Sequence, residues 1–164
     1  MRNGEFIREA IESYINEIRS GEEDAKFPYN DTEFVLSEWK LYTDEVQGII
    51  DALNSPNCKL KEIYLPVRIT NDDEEKIASA LKTNKTLQKV NLVHLHQPLN
   101  MINSLIMNKN ITEILIHDSN VGDEGAKALA NAIQNNGHLS ALTLNRCQVG
   151  NEGVKAFGKA LETP

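Results

Sequence analysis

The chain of 164 residues is poor in the features that assign a protein to a membrane or secreted class. No stretch approaches the roughly 18 or more consecutive apolar residues of a membrane-spanning helix. The opening segment MRNGEFIREAIESYINEI alternates charged with apolar side chains, so it lacks the continuous apolar region of a secretory signal. The two cysteines, Cys58 and Cys147, are too few to suggest a disulfide framework. We therefore expect a cytoplasmic protein, and we interpret the N-x-T triplets at Asn30, Asn84 and Asn110 as loop residues rather than glycosylation sites.

Positive charge is also scarce, with 17 Lys and Arg residues against 24 Asp and Glu and a formal net charge of −7. Nucleic acids and anionic membranes attract proteins that carry basic patches, so this balance argues against both as partners. It slightly favours a protein partner with a basic or mixed surface. Apolar residues make up 40% of the chain, which is enough for one globular domain with a core.

One phrase occurs twice in the chain. VGDEGAKALANAI (Val121–Ile133) returns as VGNEGVKAFGKAL (Val149–Leu161), 28 residues further on. Before each copy, apolar and polar residues alternate, as in EILIH and ALTLN, which is typical of a short strand with one buried face. Together these segments give L-x-x-L-x-L-x-x-N/C-x-L, the spacing of leucine-rich repeats. Each repeat is therefore predicted to contain a strand, a turn and a helix.

The glycines and polar residues that open each repeated helix have separate physical roles. Gly122 and Gly150 are predicted to permit a sharp turn that a side chain would resist. Asp123 and Asn151 are predicted to be N-caps, accepting hydrogen bonds from the first free amides of their own helices. Gly125 and Gly153 each lower helix propensity by about 1 kcal/mol relative to alanine. We infer that these two glycines allow the start of each helix to approach a neighbouring backbone closely.

Weaker copies of the pattern come earlier, so that repeats start near residues 31, 60, 87, 111 and 139. A single repeat cannot bury its own apolar face, whereas stacked repeats can. We predict an α/β fold, a right-handed leucine-rich repeat solenoid of about five strand-turn-helix repeats of 24–29 residues that form a short parallel sheet. Residues 31–164 would be the leucine-rich repeat domain. Residues 1–30, with an apolar stripe at helical spacing, would supply an N-terminal capping helix and an acidic linker.

The repeated phrase resembles the ribonuclease-inhibitor-type leucine-rich repeat family, strongly in the last two repeats and weakly over residues 31–110. This resemblance implies a non-enzymatic module, without a cofactor, that binds another protein through its concave face, the sheet face directed away from the helices. The segment ALKTNKTLQKVNL (Ala80–Leu92) and the N-terminal helix resemble the tropomodulin-like actin-regulatory domains of this group. The group also includes effectors of intracellular bacteria, which would act on a protein in the host cytosol.

The concave face is the candidate binding site. Tyr64 and Leu115 are expected to be exposed apolar side chains within a polar frame, a composition typical of recognition surfaces. Glu62, Lys89 and Glu113 alternate in charge and can neutralise one another between neighbouring strands. The complete candidate set is Glu62, Tyr64, Lys89, Asn91, Glu113, Leu115, His117, Asp118, Thr143, Asn145 and Arg146.

Three histidines raise the question of a metal site. His94 and His96 follow one predicted strand, and His117 with Asp118 ends the next, so His94 would neighbour Asp118 across the sheet. Zinc needs three or four ligands. The H-x-H and H-D spacing offers that number, but no cysteine joins it. We interpret the group as a solvated polar rim and predict no metal, with the metal alternative left open.

Signals of catalysis are weak. GVKAFGKA (Gly153–Ala160) nearly matches the phosphate-loop pattern, but Ala160 replaces the hydroxyl residue that binds magnesium and the segment lies within a predicted helix. No Ser-His-Asp or Cys-His combination stands out. A GTPase-activating role would need a positioned arginine, and Arg68 and Arg146 at strand ends are the candidates.

The last strand, with Leu142 and Leu144, would leave an unpaired edge. Three interpretations remain open at this point. The sequence is part of a longer protein, or the edge is a surface for self-association. In the third interpretation the polar side chains of Thr143, Arg146 and Lys159 are sufficient to cap the end of the solenoid.

Overall fold

The structure is a computed structural model. It describes residues 43–66, 69–96 and 98–162, together with isolated positions between residues 9 and 20 that are helical. Most of the predicted capping helix and the first predicted strand lie outside the described residues, so the capping role stays a prediction. The elements are α1 (Thr43–Asn54), β1 (Glu62–Pro66), α2 (Asn71–Thr83), β2 (Lys89–Val93), α3 (Pro98–Met107), β3 (Glu113–His117), α4 (Gly122–Asn136), β4 (Ala141–Asn145) and α5 (Asn151–Glu162).

Within the described residues, four strands form one sheet in the order β1-β2-β3-β4, and every pair is parallel. A helix follows each strand, as parallel neighbours require. The register places equivalent repeat positions side by side, so that Ile63 pairs with Val90, Val90 with Ile114 and Ile114 with Leu142. The predicted α/β solenoid with a parallel sheet is confirmed.

The core lies between the sheet and the layer of helices. The strand residues that face the helices are Ile63, Leu65, Val90, Leu92, Ile114 and Ile116, each at most 1% exposed. Burying one such side chain contributes about 1.5–3 kcal/mol. In β4 the equivalent Leu142 and Leu144 remain half-buried, because this strand pairs on one side among the described residues. Leu161 of α5 is 74% exposed at the same end of the solenoid.

The expected N-caps are wrong. Helix α4 begins at Gly122, one residue before Asp123, and α5 begins at Asn151 itself. The Asp123 carboxylate instead reaches the next repeat, where its Oδ1 accepts hydrogen bonds from the amides of Gly150 and Gly153, each at 2.8 Å. The Asp123 carboxylate of one repeat therefore stabilises the first turn of the helix in the following repeat, where unpaired amides and the helix dipole favour negative charge.

The left-handed turn is found at Gly122 but not at Gly150, where a Cβ would instead lie 3.0 Å from Asp123 Oδ2. Gly122 has a φ of +61°, the left-handed conformation that side chains resist. A Cβ on Gly125 would lie 3.0 Å from Ile102 Cδ1 of α3, and one on Gly153 would lie 2.7 Å from Ala126 Cβ of α4. Both positions are buried. The absence of a side chain therefore sets the distance between successive helices.

Two asparagines bind the end of one helix to the next loop. Asn84 Nδ2 donates to Leu53 O at 2.8 Å, and Asn108 Nδ2 donates to Leu81 O at 2.6 Å and to Asn84 O at 2.7 Å. Carbonyls at the ends of α1 and α2 are thereby satisfied from the following repeat. Asn84 is only 5% exposed, so glycan attachment to its amide nitrogen is incompatible with the fold. In the last four repeats an asparagine lies three residues before the first Leu or Ile, at Asn57, Asn84, Asn108 and Asn136.

Candidate functional site on the concave face

The parallel register assembles the predicted residues into rows across the concave face. One row contains Glu62, Lys89, Glu113 and Ala141, and the next contains Tyr64, Asn91, Leu115 and Thr143. His117 and Asn145 pair at the carboxyl ends of β3 and β4, and Asp118 and Arg146 follow them directly. The structure therefore brings all eleven candidate residues together on one side and edge of the sheet.

The first row is organised by Lys89. Its Nζ lies 2.9 Å from Glu62 Oε1. The hydrogen bond to Glu62 raises the pKa of the Lys89 ammonium, burial opposes this, and the charges of Glu62 and Glu113 add to it. The alternation of charge expected from the sequence thus produces an ion pair that is partly open to solvent. Such pairs contribute about 0.2–1 kcal/mol.

The second row forms the centre of the face. Tyr64 and Leu115 are half-buried rather than exposed as predicted, and Tyr64 packs against the core cluster. Burial is the main cause that raises the pKa of the Tyr64 hydroxyl, and the negative charge of Asp118 raises it further. Asn91 lies between them, and its Oδ1 is buried without a hydrogen-bond partner in the described part of the chain. Buried polar atoms are nearly always paired, so this oxygen is an acceptor that the described residues leave unfilled.

The carboxyl ends of the strands form a polar edge. Arg146 Nη1 lies 3.5 Å from Asp118 Oδ1, and the amide of His94 donates to His117 O at 3.2 Å. His94, Asp118 and Arg146 occupy equivalent places in successive repeats and have φ values of +60°, +47° and +52°. The backbone therefore bends at the same point after each strand.

Beside this edge is a cleft of about 550 Å³, lined by Ile69, Thr70, His94, Leu95, His96, Asp118, Asn120 and Gln148. Asn120 and Gln148 are not among the site residues predicted from the sequence. Their equivalent positions in two repeats, 28 residues apart, are the pattern that could have identified them. His94 and Asp118 are neighbours, as expected. In the described ranges, however, no group of three or more His, Cys, Asp or Glu residues is placed to hold a metal ion.

The remaining candidates have structural surroundings. Cys147 is buried, its Sγ donates to Ile116 O at 3.2 Å, and burial raises the pKa of its thiol. Gly153–Ala160 lies within helix α5, as expected. Arg68 lies outside the described residues. Among the helices that the structure describes, none combines the length and apolar character needed to cross a membrane.

Comparison with known proteins agrees with this geometry. A family model described as "Leucine Rich repeat" matches residues 108–130 and 135–158. Among solved structures, the tropomodulin C-terminal domain of Caenorhabditis elegans is similar, with a TM-score of 0.60 and 17% sequence identity. That match covers 93% of this chain and 91% of the tropomodulin chain. Comparison with curated protein sequences finds no match.

At 17% identity the tropomodulin likeness bears on the fold alone. The structural likeness extends beyond the two segments that the family model matches. The strand register likewise shows that the same strand-and-helix unit repeats from β1 to β4. The ribonuclease-inhibitor subtype is a finer assignment than these comparisons give. The chain has the leucine-rich repeat fold, an α/β solenoid of stacked strand-and-helix units, and residues 108–130 and 135–158 match the repeat itself.

Proposed function

We propose that this protein is a non-enzymatic module that binds another protein through its concave face. The observation that carries the proposal is the central row, where the open acceptor of Asn91 lies between the half-buried Tyr64 and Leu115. Apolar and aromatic contact beside an unsatisfied polar atom is typical of the centre of an interface. The 28-residue repeat supports the ribonuclease-inhibitor subtype, and the two free, buried cysteines favour a cytoplasmic location.

Replacement of Asn91 by leucine is expected to separate binding from stability. The substitution removes a buried oxygen without a partner, so the free energy of unfolding should rise by about 1 kcal/mol. The same change removes the acceptor offered to a ligand, so affinity for the partner should fall about tenfold. Partners are first recovered from a lysate with the tagged wild type and identified by mass spectrometry. Binding of the recovered protein and denaturant unfolding are then measured for both chains.

Two further variants complete this experiment. Tyr64→Ala should weaken binding by roughly tenfold or more, as truncation of an aromatic anchor does. Lys127→Glu, on the exposed side of α4, is the control and should bind as the wild type does. The concave-face assignment is wrong if Asn91→Leu and Tyr64→Ala retain the same proteins in the same amounts as Lys127→Glu.

The recovered partner also separates the alternatives. The Ala80–Leu92 segment and the shared fold favour a tropomodulin-like, actin-regulatory role as the second candidate, and recovery of actin with cosedimentation on filaments would support it. A bacterial effector would recover its partner from host lysate rather than bacterial lysate. Recovery of untagged copies of this chain, independent of Tyr64, would support self-association through the edge of β4, where Leu142 and Leu144 remain half-buried.

A further inference from the structure

Three lysines each follow a backbone point that the Asn108 side chain joins, at the edge of the solenoid where helices return to strands. The amide of Asn108 donates to Leu81 O at 2.6 Å and to Asn84 O at 2.7 Å, so it joins three separate points of the backbone. A lysine follows each of these points directly in sequence. Lys82, Lys85 and Lys109 are therefore held close to one buried hub, and all three side chains are exposed. We call these three residues the lysine rim.

Several described cations form ion pairs with carboxylates, whereas the three lysines of the rim, like Lys59, Lys61 and Lys127, do not. Ion pairs elsewhere are Lys76–Asp73, Lys89–Glu62, Arg146–Asp118 and Lys155–Glu152. Within the described residues, none of the three rim lysines forms such a pair. The strand-start carboxylates Glu62 and Glu113 act on Lys89. Lys59 and Lys61, in the preceding loop, are also exposed and extend the positive edge.

Helix capping does not account for these lysines. Cations near a helix C-terminus commonly satisfy its last carbonyls or interact with its dipole, and Lys82 lies in the last turn of α2. Here, however, the amides of Asn84 and Asn108 already occupy carbonyls at the ends of α1 and α2. The ammonium groups are thus left in solvent, where like charges held together repel one another unless an anion lies between them.

We propose that the lysine rim binds an acidic segment of a protein. Met107, which directly precedes Asn108, is 61% exposed and offers an apolar contact beside the three charges. An acidic segment that also carries an apolar side chain therefore fits this surface. The site lies on the edge of the sheet and uses none of the concave-face residues, so it goes beyond the function proposed above.

Protein is favoured over nucleic acid and membrane by the composition of the rim. Single-stranded nucleic acid sites combine basic residues with aromatic platforms for the bases, and neither an aromatic residue nor an arginine belongs to the rim. Anionic membranes attract clusters of basic residues on chains without a strong opposing charge. This chain carries a net charge of −7, which opposes long-range attraction to both polyanions. A short acidic segment needs only the local field of the rim.

The test uses a short fluorescein-labelled peptide of glutamates around one leucine, with a matched peptide that carries glutamine in place of glutamate. Fluorescence anisotropy measures binding to the wild type and to the triple variant Lys82→Gln, Lys85→Gln, Lys109→Gln. The matched control is Lys127→Gln, Lys155→Gln, Lys159→Gln, which changes the net charge equally at other sites. All six lysines are exposed, so circular dichroism and thermal unfolding should show both variants to be folded.

The rim variant should bind the acidic peptide about tenfold more weakly than the wild type, with a reduced salt dependence, because three charge contacts are lost. The control should bind within about twofold of the wild type, and Asn91→Leu should bind unchanged. Equal losses in the rim and control variants, or equal binding of the glutamine peptide, would overturn the proposal. So would tighter, rim-dependent binding of phosphatidylserine vesicles or of a single-stranded DNA oligonucleotide than of the acidic peptide.

Discussion

Replacing Asn108 with alanine should lower the free energy of unfolding by about 3–5 kcal/mol. Asn108 is 3% exposed, and its side chain makes hydrogen bonds to Leu81 O, Asn84 O and Asn110 N. Alanine would leave these three backbone groups without that partner, and each unsatisfied buried group costs about 1–3 kcal/mol. The loss would also uncouple the end of α2 from the loop before β3. Urea unfolding followed by circular dichroism measures the change.

Asn110→Ala is the matched control in the same loop. Asn110 is exposed and its side chain makes only a 3.4 Å contact with Asn108 Oδ1, so its loss should cost less than about 1 kcal/mol. Asn108→Asp keeps the acceptor but replaces both donors with a buried carboxylate opposite two carbonyls, and it should be at least as destabilising as alanine. Similar unfolding midpoints for Asn108→Ala and Asn110→Ala would show that the amide does not hold the repeats together.

The repeat architecture could be predicted from the sequence because the burial of apolar side chains that drives it follows from a local residue pattern. Alternation in EILIH and ALTLN marks the face that must be buried, and a fixed period makes neighbouring strands pair at equivalent positions. Once the strands are parallel and in register, the rows of the concave face follow. That is why Glu62, Lys89 and Glu113 were correctly expected to be neighbours.

Interactions between repeats were harder to predict, because the sequence rules for helix ends consider only the residues of a single helix. Asp123 has the residue type and position of an N-cap, but its carboxylate bonds to amides of the following repeat. The recurring asparagine three residues before the first Leu or Ile of a repeat was visible in the sequence, yet its role depends on carbonyls of the preceding helix. The half-burial of Tyr64 and Leu115 likewise was not predicted from the alternation within their own strands. The protein-binding role of the concave face remains a prediction.

The second large effect is expected at Gly153, where α5 approaches α4. A Cβ there would lie 2.6 Å from Val149 Cγ1, 2.7 Å from Ala126 Cβ and 2.9 Å from Asp123 Oδ1. Ala126 Cβ is fixed to its backbone, so alanine at Gly153 would force the two helices apart and weaken the hydrogen bond from Gly153 N to Asp123. Overpacking of this kind costs about 1–3 kcal/mol and the strained hydrogen bond adds to it, whereas alanine gains about 1 kcal/mol in helix propensity.

Gly158 in the same helix supplies the internal control, because a Cβ there would meet nothing within 4 Å. Gly158→Ala should therefore raise the free energy of unfolding by about 0.5–1 kcal/mol, through propensity alone. Gly153→Ala should lower it by about 2 kcal/mol, and Gly153→Val should lower it further. The two alanine substitutions are chemically identical and lie five residues apart, so opposite signs in urea unfolding can arise only from what each Cβ contacts. Stabilisation at both glycines would mean that α4 and α5 do not touch at Gly153, and the stacking of the last two repeats would have to be revised.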